Sequence, residues 1–405
     1  MAQHTASVSG AAQAALPVID LARADDAAQV EALRAELFAA SHEVGFFYLV
    51  GHGIGPERQE QMFDVARRLF ALPEAAKHEV EMLRSPHFRG WTRLGGELTR
   101  GRVDWREQID VGIERPAIDV PADEPWYVLQ GPNLWPAALA DDLPVVQAWQ
   151  RDLSQVGIRP LRLWATALGQ RPDVWDDAFA DRPAPLLKIV RYPASGTDTD
   201  TGTGTDTQGQ GVGGHKDAGV LTLLLPEPGT RGLQVEHQGR WIDADPLPGA
   251  FIVNIGELLE VATGGLLKAT EHRVLRPGDR ERLSIPFFHA PGLSARFVPL
   301  ELPPHLAELA ARSGGVSEQA HNRLFDCYGA NSLKSRLRAH PDVAAAHHPD
   351  LVGWQGPKQV TERADAAPDA GPDTGSDAGP GAGPDGGSDA GPDGGVGITG
   401  AIGSR

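Results

Sequence analysis

Apolar positions recur at helical spacing along the first third of the chain. Val30, Leu33, Leu37, Phe38, Ser41 and Val44 follow one another at steps suited to a 3.6-residue period after Asp25 and Asp26, which predicts a helix with a buried stripe. The apolar run 45–50 then reads as a strand. A second helix starts at Pro56 and carries Met62, Phe63, Val65, Leu69 and Phe70 on its core side. A third spans 145–168, where Pro160 is expected to kink or split it. From Leu186 the period shortens to two, with Pro and Gly turns between short runs at 186–192, 220–225, 232–236, 250–255, 268–275 and 282–289. Two antiparallel sheets built from such strands would close over a pocket, a mainly β jelly-roll in an α+β setting of helices. A last helix at 317–333 would cover it, and the polar, Gly-rich segment 89–108 reads as a loop.

Composition narrows the classes. With 405 residues, 41% of them hydrophobic, the chain can bury a large core. Its net charge of −17 and lack of basic runs argue against a nucleic-acid partner. No apolar stretch reaches membrane-spanning length, and the start Met1-Ala-Gln-His-Thr lacks the charged and apolar regions of a signal peptide. The single cysteine, Cys327, excludes disulfides and iron–sulfur clusters within one chain, suits a reducing cytoplasm, and falls in a segment that looks like a buried helix face. From Thr361 the composition collapses to Gly, Ala, Pro, Ser and Asp, so 361–405 reads as a disordered acidic tail. Residues 1–14 read as a flexible start, 15–130 as an N-terminal helical and β segment, and 131–360 as the jelly-roll with its flanking helices. The Thr-, Asp- and Gly-rich piece 195–211 reads equally as a mobile loop near the mouth of the site or as an inert insertion.

The chemistry concentrates in one stretch. His215 and Asp217 are two residues apart, so on a strand they would offer an imidazole nitrogen and a carboxylate oxygen from one face. His272 sits in an alternating segment that runs into Arg276-Pro-Gly-Asp-Arg280. A reversal near Gly278 would make a hairpin with 282–289, setting Ser284 roughly opposite His272 and Arg282 one diagonal step away. Two histidines and one carboxylate on one side of an ion leave the remaining positions open for a co-substrate and dioxygen. Arg282 is a planar fork suited to a carboxylate, and the Ser284 hydroxyl can add a further hydrogen bond.

Each piece alone has a plainer explanation. A chain with 14 histidines shows a His-x-Asp by chance fairly often, and a lone Arg-x-Ser is usually a solvated strand edge. The ordered set is what carries weight. His42, His52 and His78 read as structural, and His289 as a packing residue. The same donor set could serve zinc hydrolysis, but no His-Glu-x-x-His helix, nucleophile elbow or Walker loop accompanies it.

The set His215-Lys-Asp217, His272 and Arg282-Leu-Ser284 resembles the signature of the 2-oxoglutarate and Fe(II)-dependent dioxygenases, in the branch similar to isopenicillin N synthase. The likeness extends through Leu16-Pro-Val-Ile-Asp20, Gly45-Phe-Phe-Tyr-Leu-Val-Gly-His-Gly53, Val190-Arg-Tyr-Pro193 and Gly249-Ala-Phe-Ile-Val-Asn-Ile-Gly256 to about Trp354. It implies a double-stranded β-helix, another name for the jelly-roll. It also implies Fe(II) on His215, Asp217 and His272, and 2-oxoglutarate held at its far carboxylate by Arg282 and Ser284 with Tyr192 adding a contact. Dioxygen and 2-oxoglutarate would be consumed to oxidise a small molecule, most simply by hydroxylation with desaturation or ring closure as variants, in specialised metabolism such as antibiotic biosynthesis. Many plant members have Asn-Tyr-Tyr-Pro where this chain has Val190-Arg-Tyr-Pro193; Arg191 there resembles isopenicillin N synthase itself, which uses no 2-oxoglutarate and seats its substrate in the clamp. Both modes stay open at this point, as does a non-catalytic metal-binding protein on the same fold. Arg89, Arg93 and Glu97 are candidate contacts to a charged small substrate such as an amino acid or peptide, Glu97 matching a position that resembles a substrate-contacting Glu in bacterial ethylene-forming relatives.

Overall fold

The computed structural model describes residues 16–195, 210–316 and 322–357. The expected flexible start at 1–14, all but the ends of the segment 195–211 and the tail from 361 lie outside the described residues. The first part runs β1 (Val18–Asp20), α1 (Val30–Glu43), β2 (Phe46–Val50), α2 (Pro56–Phe70), α3 (Glu74–Glu79), β3 (Gly90–Thr92), β4 (Leu98–Thr99), β5 (Arg102–Val103), β6 (Glu107–Gly112), α4 (Leu143–Ala167) and α5 (Asp176–Ala180). The second part runs β7 (Leu186–Tyr192), β8 (Gln210–His215), β9 (Leu221–Pro226), β10 (Leu233–His237), β11 (Arg240–Asp243), β12 (Phe251–Ile255), α6 (Glu257–Ala262), β13 (His272–Leu275), β14 (Arg282–His289), α7 (Pro304–Arg312), α8 (Tyr328–Ala339) and α9 (Pro341–His347).

The strands form a large sheet in the order β1-β2-β12-β9-β14-β7-β6-β3 and a small one in the order β11-β10-β13-β8, with β4 and β5 as a separate hairpin. From β8 onward the chain passes between the two sheets: β8 small, β9 large, β10 and β11 small, β12 large, β13 small, β14 large. That alternation is the jelly-roll. Period-two side chains explain why the large sheet is covered on both faces. Leu187, Ile189, Leu223, Phe251, Val253, Ile285 and Phe287 join the core built with Leu33, Leu37, Phe63, Trp149 and Trp164 of the helices. Their neighbours Phe46, Tyr48, Val190, Tyr192 and Ile252 meet Val212, Leu233, Val235 and Val274 in a second cluster between the sheets.

Several sequence expectations need correction. α4 continues through Pro160 rather than splitting there; the ring is buried along with Val156, Leu161 and Trp164, and burial of that helix face offsets the missing donor. The last helix starts at Tyr328 rather than at 317. Asn331 explains the late start: its amide donates to the carbonyls of Phe325 (2.7 Å) and Cys327 (3.2 Å) and accepts from Phe325 N (3.0 Å), which pins the chain in extended form just before the helix. Cys327 is therefore the residue preceding the helix, buried, with its thiol donating to Leu293 O at 3.4 Å. The segment 89–108 is not one loop but holds β3, β4, β5 and the start of β6 between turns; β3 and β6 carry Thr92, Gln108 and Asp110 in buried positions, and polar residues there hide the alternation. The strand expected at 268–275 begins only at His272. Among the described residues no helix is long and apolar enough to cross a membrane.

Candidate metal centre

β8 ends at His215, and β13 begins at His272 directly opposite it. Asp217 lies past the end of the strand, so the expected shared strand face does not bring the pair together. The turn from β12 into α6 does: Glu257 N donates to Asp217 O (2.8 Å), Gly256 N to Val220 O (2.9 Å) and Leu258 N to Gly219 O (3.1 Å). The backbones approach so closely that a Cβ on Gly256 would stand 2.1 Å from Gly219 O.

The ligand atoms of His215, Asp217 and His272 lie within 4.8 Å of one another. Asp217 Oδ1 is 3.6 Å from His215 Nε2 and 3.8 Å from His272 Nε2. The Nδ1 of His215 is 2.9 Å from Gly213 O, and that of His272 is 3.1 Å from Thr270 O. A carbonyl only accepts, so the proton belongs on each Nδ1 and the Nε2 lone pairs face the common point. Asp217 Oδ2 is occupied by Thr222 Oγ1 at 2.5 Å and Asn254 Nδ2 at 2.8 Å, which leaves Oδ1 for an ion. Burial and the neighbouring His272 lower His215 to about 4, so it is a neutral donor at pH 7. Burial would raise Asp217, but the two imidazoles and its two hydrogen bonds outweigh that and keep it ionised. The donor set therefore fits a divalent cation. The polar partners Thr222 and Asn254 escaped the sequence reading; each is the lone polar residue in an otherwise apolar strand, and that was the available signal.

The clamp candidates are placed differently from the expected hairpin. β13 pairs with β8 and β10, whereas β14 pairs with β7 and β9. The residues 276–281 carry the chain from the small sheet to the large one, so Ser284 is opposite Val190 and Pro226, and Arg282 is opposite Tyr192. Paired residues of antiparallel strands share a face. Arg282 and Ser284 thus lie on the inner face with Val190 and Tyr192, and the Arg282 guanidinium rests 4.9 Å from the Tyr192 ring centroid. Arg282 is buried with Nη1 unpartnered, a donor that a carboxylate of 2-oxoglutarate fits. Arg191 takes the opposite face, paired with Glu107 (2.8 Å) and Glu281 (3.0 Å).

The three substrate candidates separate. Arg93 is on the surface with Glu81 at 3.3 Å. Arg89 is buried, donates to Leu129 O at 3.0 Å, and is lowered to about 10 by burial and by Arg336. Glu97 enters a buried network in which Lys188 Nζ (2.8 Å), Arg106 Nη2 (3.0 Å) and His340 Nε2 (3.6 Å) surround its carboxylate. Burial alone would raise Glu97, yet Arg106 and Lys188 hold it well below the usual carboxylate range. The network continues through Asp110, which is 3.6 Å from Lys188 and 2.6 Å from Arg336, and through Asp104, 3.1 Å from Arg106. Of these charges only Glu97 was singled out from sequence. His52 is bound to Gly249 O (2.9 Å) and His42 to Leu266 O (2.8 Å), while His78 lies near Glu74 and Glu81. His289 is buried and stacked on Phe179 at 4.5 Å.

Residues 16–138 match the family model of the N-terminal region of non-haem dioxygenases in morphine synthesis, and residues 186–291 match that of the 2OG-Fe(II) oxygenase superfamily. The 2-oxoglutarate-dependent dioxygenase frbJ of Dothideomycetidae sp. (strain 11243) is 33% identical over 339 residues, covering 81% of this chain and 90% of its own. A homoarginine-6-hydroxylase of Oryza sativa subsp. japonica is 32% identical over 280 residues, 69% of this chain and 82% of its own. The crystal structure of JOX2 in complex with 2OG, Fe and JA superposes with a TM-score of 0.58 at 28% identity, covering 72% of this chain and 80% of that one. The chain belongs to the 2OG-Fe(II) oxygenase superfamily and is a 2-oxoglutarate- and Fe(II)-dependent dioxygenase.

Proposed function

We propose that the chain hydroxylates a small molecule, with His215, Asp217 and His272 holding the iron and Arg282, Ser284 and Tyr192 holding 2-oxoglutarate. The observation that carries this reading is the pairing of three converging ligand atoms with a buried, unpartnered Arg282 Nη1 in the same molecule. When bound, iron and 2-oxoglutarate supply the oxidising power, with dioxygen consumed and succinate and carbon dioxide released. The protein's own part is positional. Gly213 and Thr270 carbonyls fix the two imidazoles, Thr222 and Asn254 orient the Asp217 carboxylate, and Tyr192 supports the face of the Arg282 fork. Arg191 takes the face opposite the clamp, paired with Glu107 and Glu281, so it leaves the clamp undisturbed. Relatives named as 2-oxoglutarate-dependent dioxygenases favour a 2-oxoglutarate user over an oxidase that seats its substrate in the clamp. The relatives named for homoarginine hydroxylation and for a complex with JA support a small molecule as the substrate. A reducing cytoplasm accords with the single, buried cysteine.

Anaerobic titration of the Fe(II)-loaded protein with 2-oxoglutarate tests the assignment. A weak visible charge-transfer band that appears with wild type and needs far more 2-oxoglutarate in Arg282→Ala is the expected result. Iron binding with no band, or a band indifferent to Arg282→Ala, would remove the clamp from these residues.

A further inference from the structure

The inner face of β7 changes character along its length. Tyr192 and Val190 sit in the apolar cluster between the sheets, and two residues further Lys188 opens a patch of charge with Asp110 opposite it on β6. Glu97 and Arg106, from the segment that contains β4 and β5, complete the patch from one side, and Arg336 of α8 from the other. The carboxylates of Glu97, Asp104 and Asp110 face the cations Lys188, Arg106 and Arg336, so the signs balance; His340, lowered to about 4 chiefly by burial, adds no charge at pH 7. Ion pairs buried this way contribute little to stability against apolar residues of similar size, because desolvation offsets their attraction. Stability therefore does not account for them.

Among the described residues, three buried atoms in the patch have no hydrogen-bond partner, one of them His340 Nε2. Gln108, fully buried and opposite both Thr92 and Val190, donates to Asp110 Oδ1 at 2.7 Å while its Oε1 accepts nothing. Arg106 uses Nη2 on Glu97 and Asp104 while its buried Nε donates to nothing. Left so, each costs free energy. A free acceptor, a free donor and exchangeable ion pairs of both signs match a ligand that carries both signs itself. Asp104 Oδ1 accepts from Gly213 N at 3.3 Å, two residues before His215, and Gln108 is opposite Val190, which clusters with Tyr192 between the sheets, so the patch borders the metal and clamp residues.

We propose that Glu97, Arg106, Gln108, Asp110 and Lys188 form the recognition patch for the substrate, and that the substrate is a zwitterion of the amino-acid class. Its carboxylate takes Arg106 and Lys188, and its ammonium takes Glu97 and Gln108 Oε1. This rests on the placement of iron and 2-oxoglutarate proposed above.

Binding to the full chain loaded anaerobically with Mn(II) and 2-oxoglutarate tests it by calorimetry, with 2-oxoglutarate affinity measured first and then the standard L-amino acids and L-homoarginine. At least one amino acid should bind, and both the amine lacking its α-carboxylate and the acid lacking its α-amino group should bind ten- to a hundredfold more weakly, as expected for a lost charge-assisted contact. Glu97→Gln and Lys188→Met should weaken the same amino acid by about tenfold or more, with Arg93→Gln as the surface control that does not. If 2-oxoglutarate binds but no amino acid does, or the stripped analogues bind as well as the parent, the inference is overturned; the analogue series decides this on wild type even where a variant fails to fold. If 2-oxoglutarate itself does not bind to the metal-loaded protein, the clamp assignment fails and the inference falls with it.

Discussion

Thr222→Val isolates what the support of Asp217 is worth. The substitution is nearly isosteric, and valine suits a strand whose neighbours Leu221 and Leu223 are buried, so β9 should keep its pairing with β12 and β14. It removes the 2.5 Å hydrogen bond to Asp217 Oδ2 and leaves that oxygen with Asn254 Nδ2 alone. A hydrogen bond to a charged group is worth about 1.5–3 kcal/mol, or roughly tenfold to a hundredfold in an equilibrium constant. Part of that loss falls on the metal-free protein, where the carboxylate is equally short of a donor. The remainder falls on metal binding, because a carboxylate held at one point samples rotations that turn Oδ1 away from His215 and His272. The expected result is Mn(II) affinity reduced about tenfold by anaerobic calorimetry, the low end of the range for a group that orients a metal ligand. Thr222→Ser should restore most of it, since the hydroxyl is what matters. A Thr222→Val protein with unchanged circular dichroism whose Mn(II) affinity stays within about threefold of wild type would refute the role given to this hydrogen bond.

Further predictions concern the surroundings. Gly256→Ala should cost more than about 3 kcal/mol in urea unfolding and weaken Mn(II) binding, because its Cβ would meet Gly219 O at 2.1 Å and push the 217–220 segment off its backbone partners. Gly157→Ala would place a Cβ 2.7 Å from His289 Cγ; overpacking of about 1–3 kcal/mol should exceed the helix-propensity gain of about 1 kcal/mol, and the same change in a His289→Ala background should turn stabilising. Metal-free stability should fall with acid between the ordinary histidine value of 6.5 and about 4, since His215 and His340 are held at about 4 and His289 at about 3 when folded, so the unfolded chain takes up protons first. His289→Phe should make that fall less steep and raise stability at pH 7 by about 1–2 kcal/mol, because both buried ring nitrogens lack partners; an unchanged urea midpoint across the pH series would contradict it.

The metal ligands were legible because their spacing in sequence reflects strand pairing that any chain of this topology must make. His215 and His272 are register partners at the end of β8 and the start of β13, and Asp217 follows by two residues. The pairing of the strands themselves was not legible. Pro277 and Gly278 mark a reversal, and a reversal between alternating runs looks like a hairpin; in a sandwich the same signal also marks a crossing from one sheet to the other. Local turn chemistry cannot distinguish the two, since the difference lies in which edge is free when β14 arrives, and here it enters between β7 and β9. The two readings agree that Arg282 and Ser284 point inward, so the change of strand partner leaves the clamp candidates on the same face.

The charged patch was illegible for another reason. Glu97, Arg106 and Asp110 lie in one stretch of the chain, but Lys188 and Arg336 come from β7 and α8, and the set forms no motif. Polar residues at Gln108 and Asp110 even argued against a buried strand, so the features that give the patch its chemistry suppressed the pattern that would have located it. The difference follows from how each part is built. The ion is to be held by residues tied to one another through backbone register and main-chain hydrogen bonds, which fixes their spacing in sequence. The patch is assembled by long side chains reaching from β6, β7, α8 and the segment around β4 and β5, and such contacts leave the spacing free. A substrate pocket made this way can change its charges by single substitutions without moving a metal ligand, so substitutions within the patch should alter which molecule binds while the iron and 2-oxoglutarate sites retain their geometry.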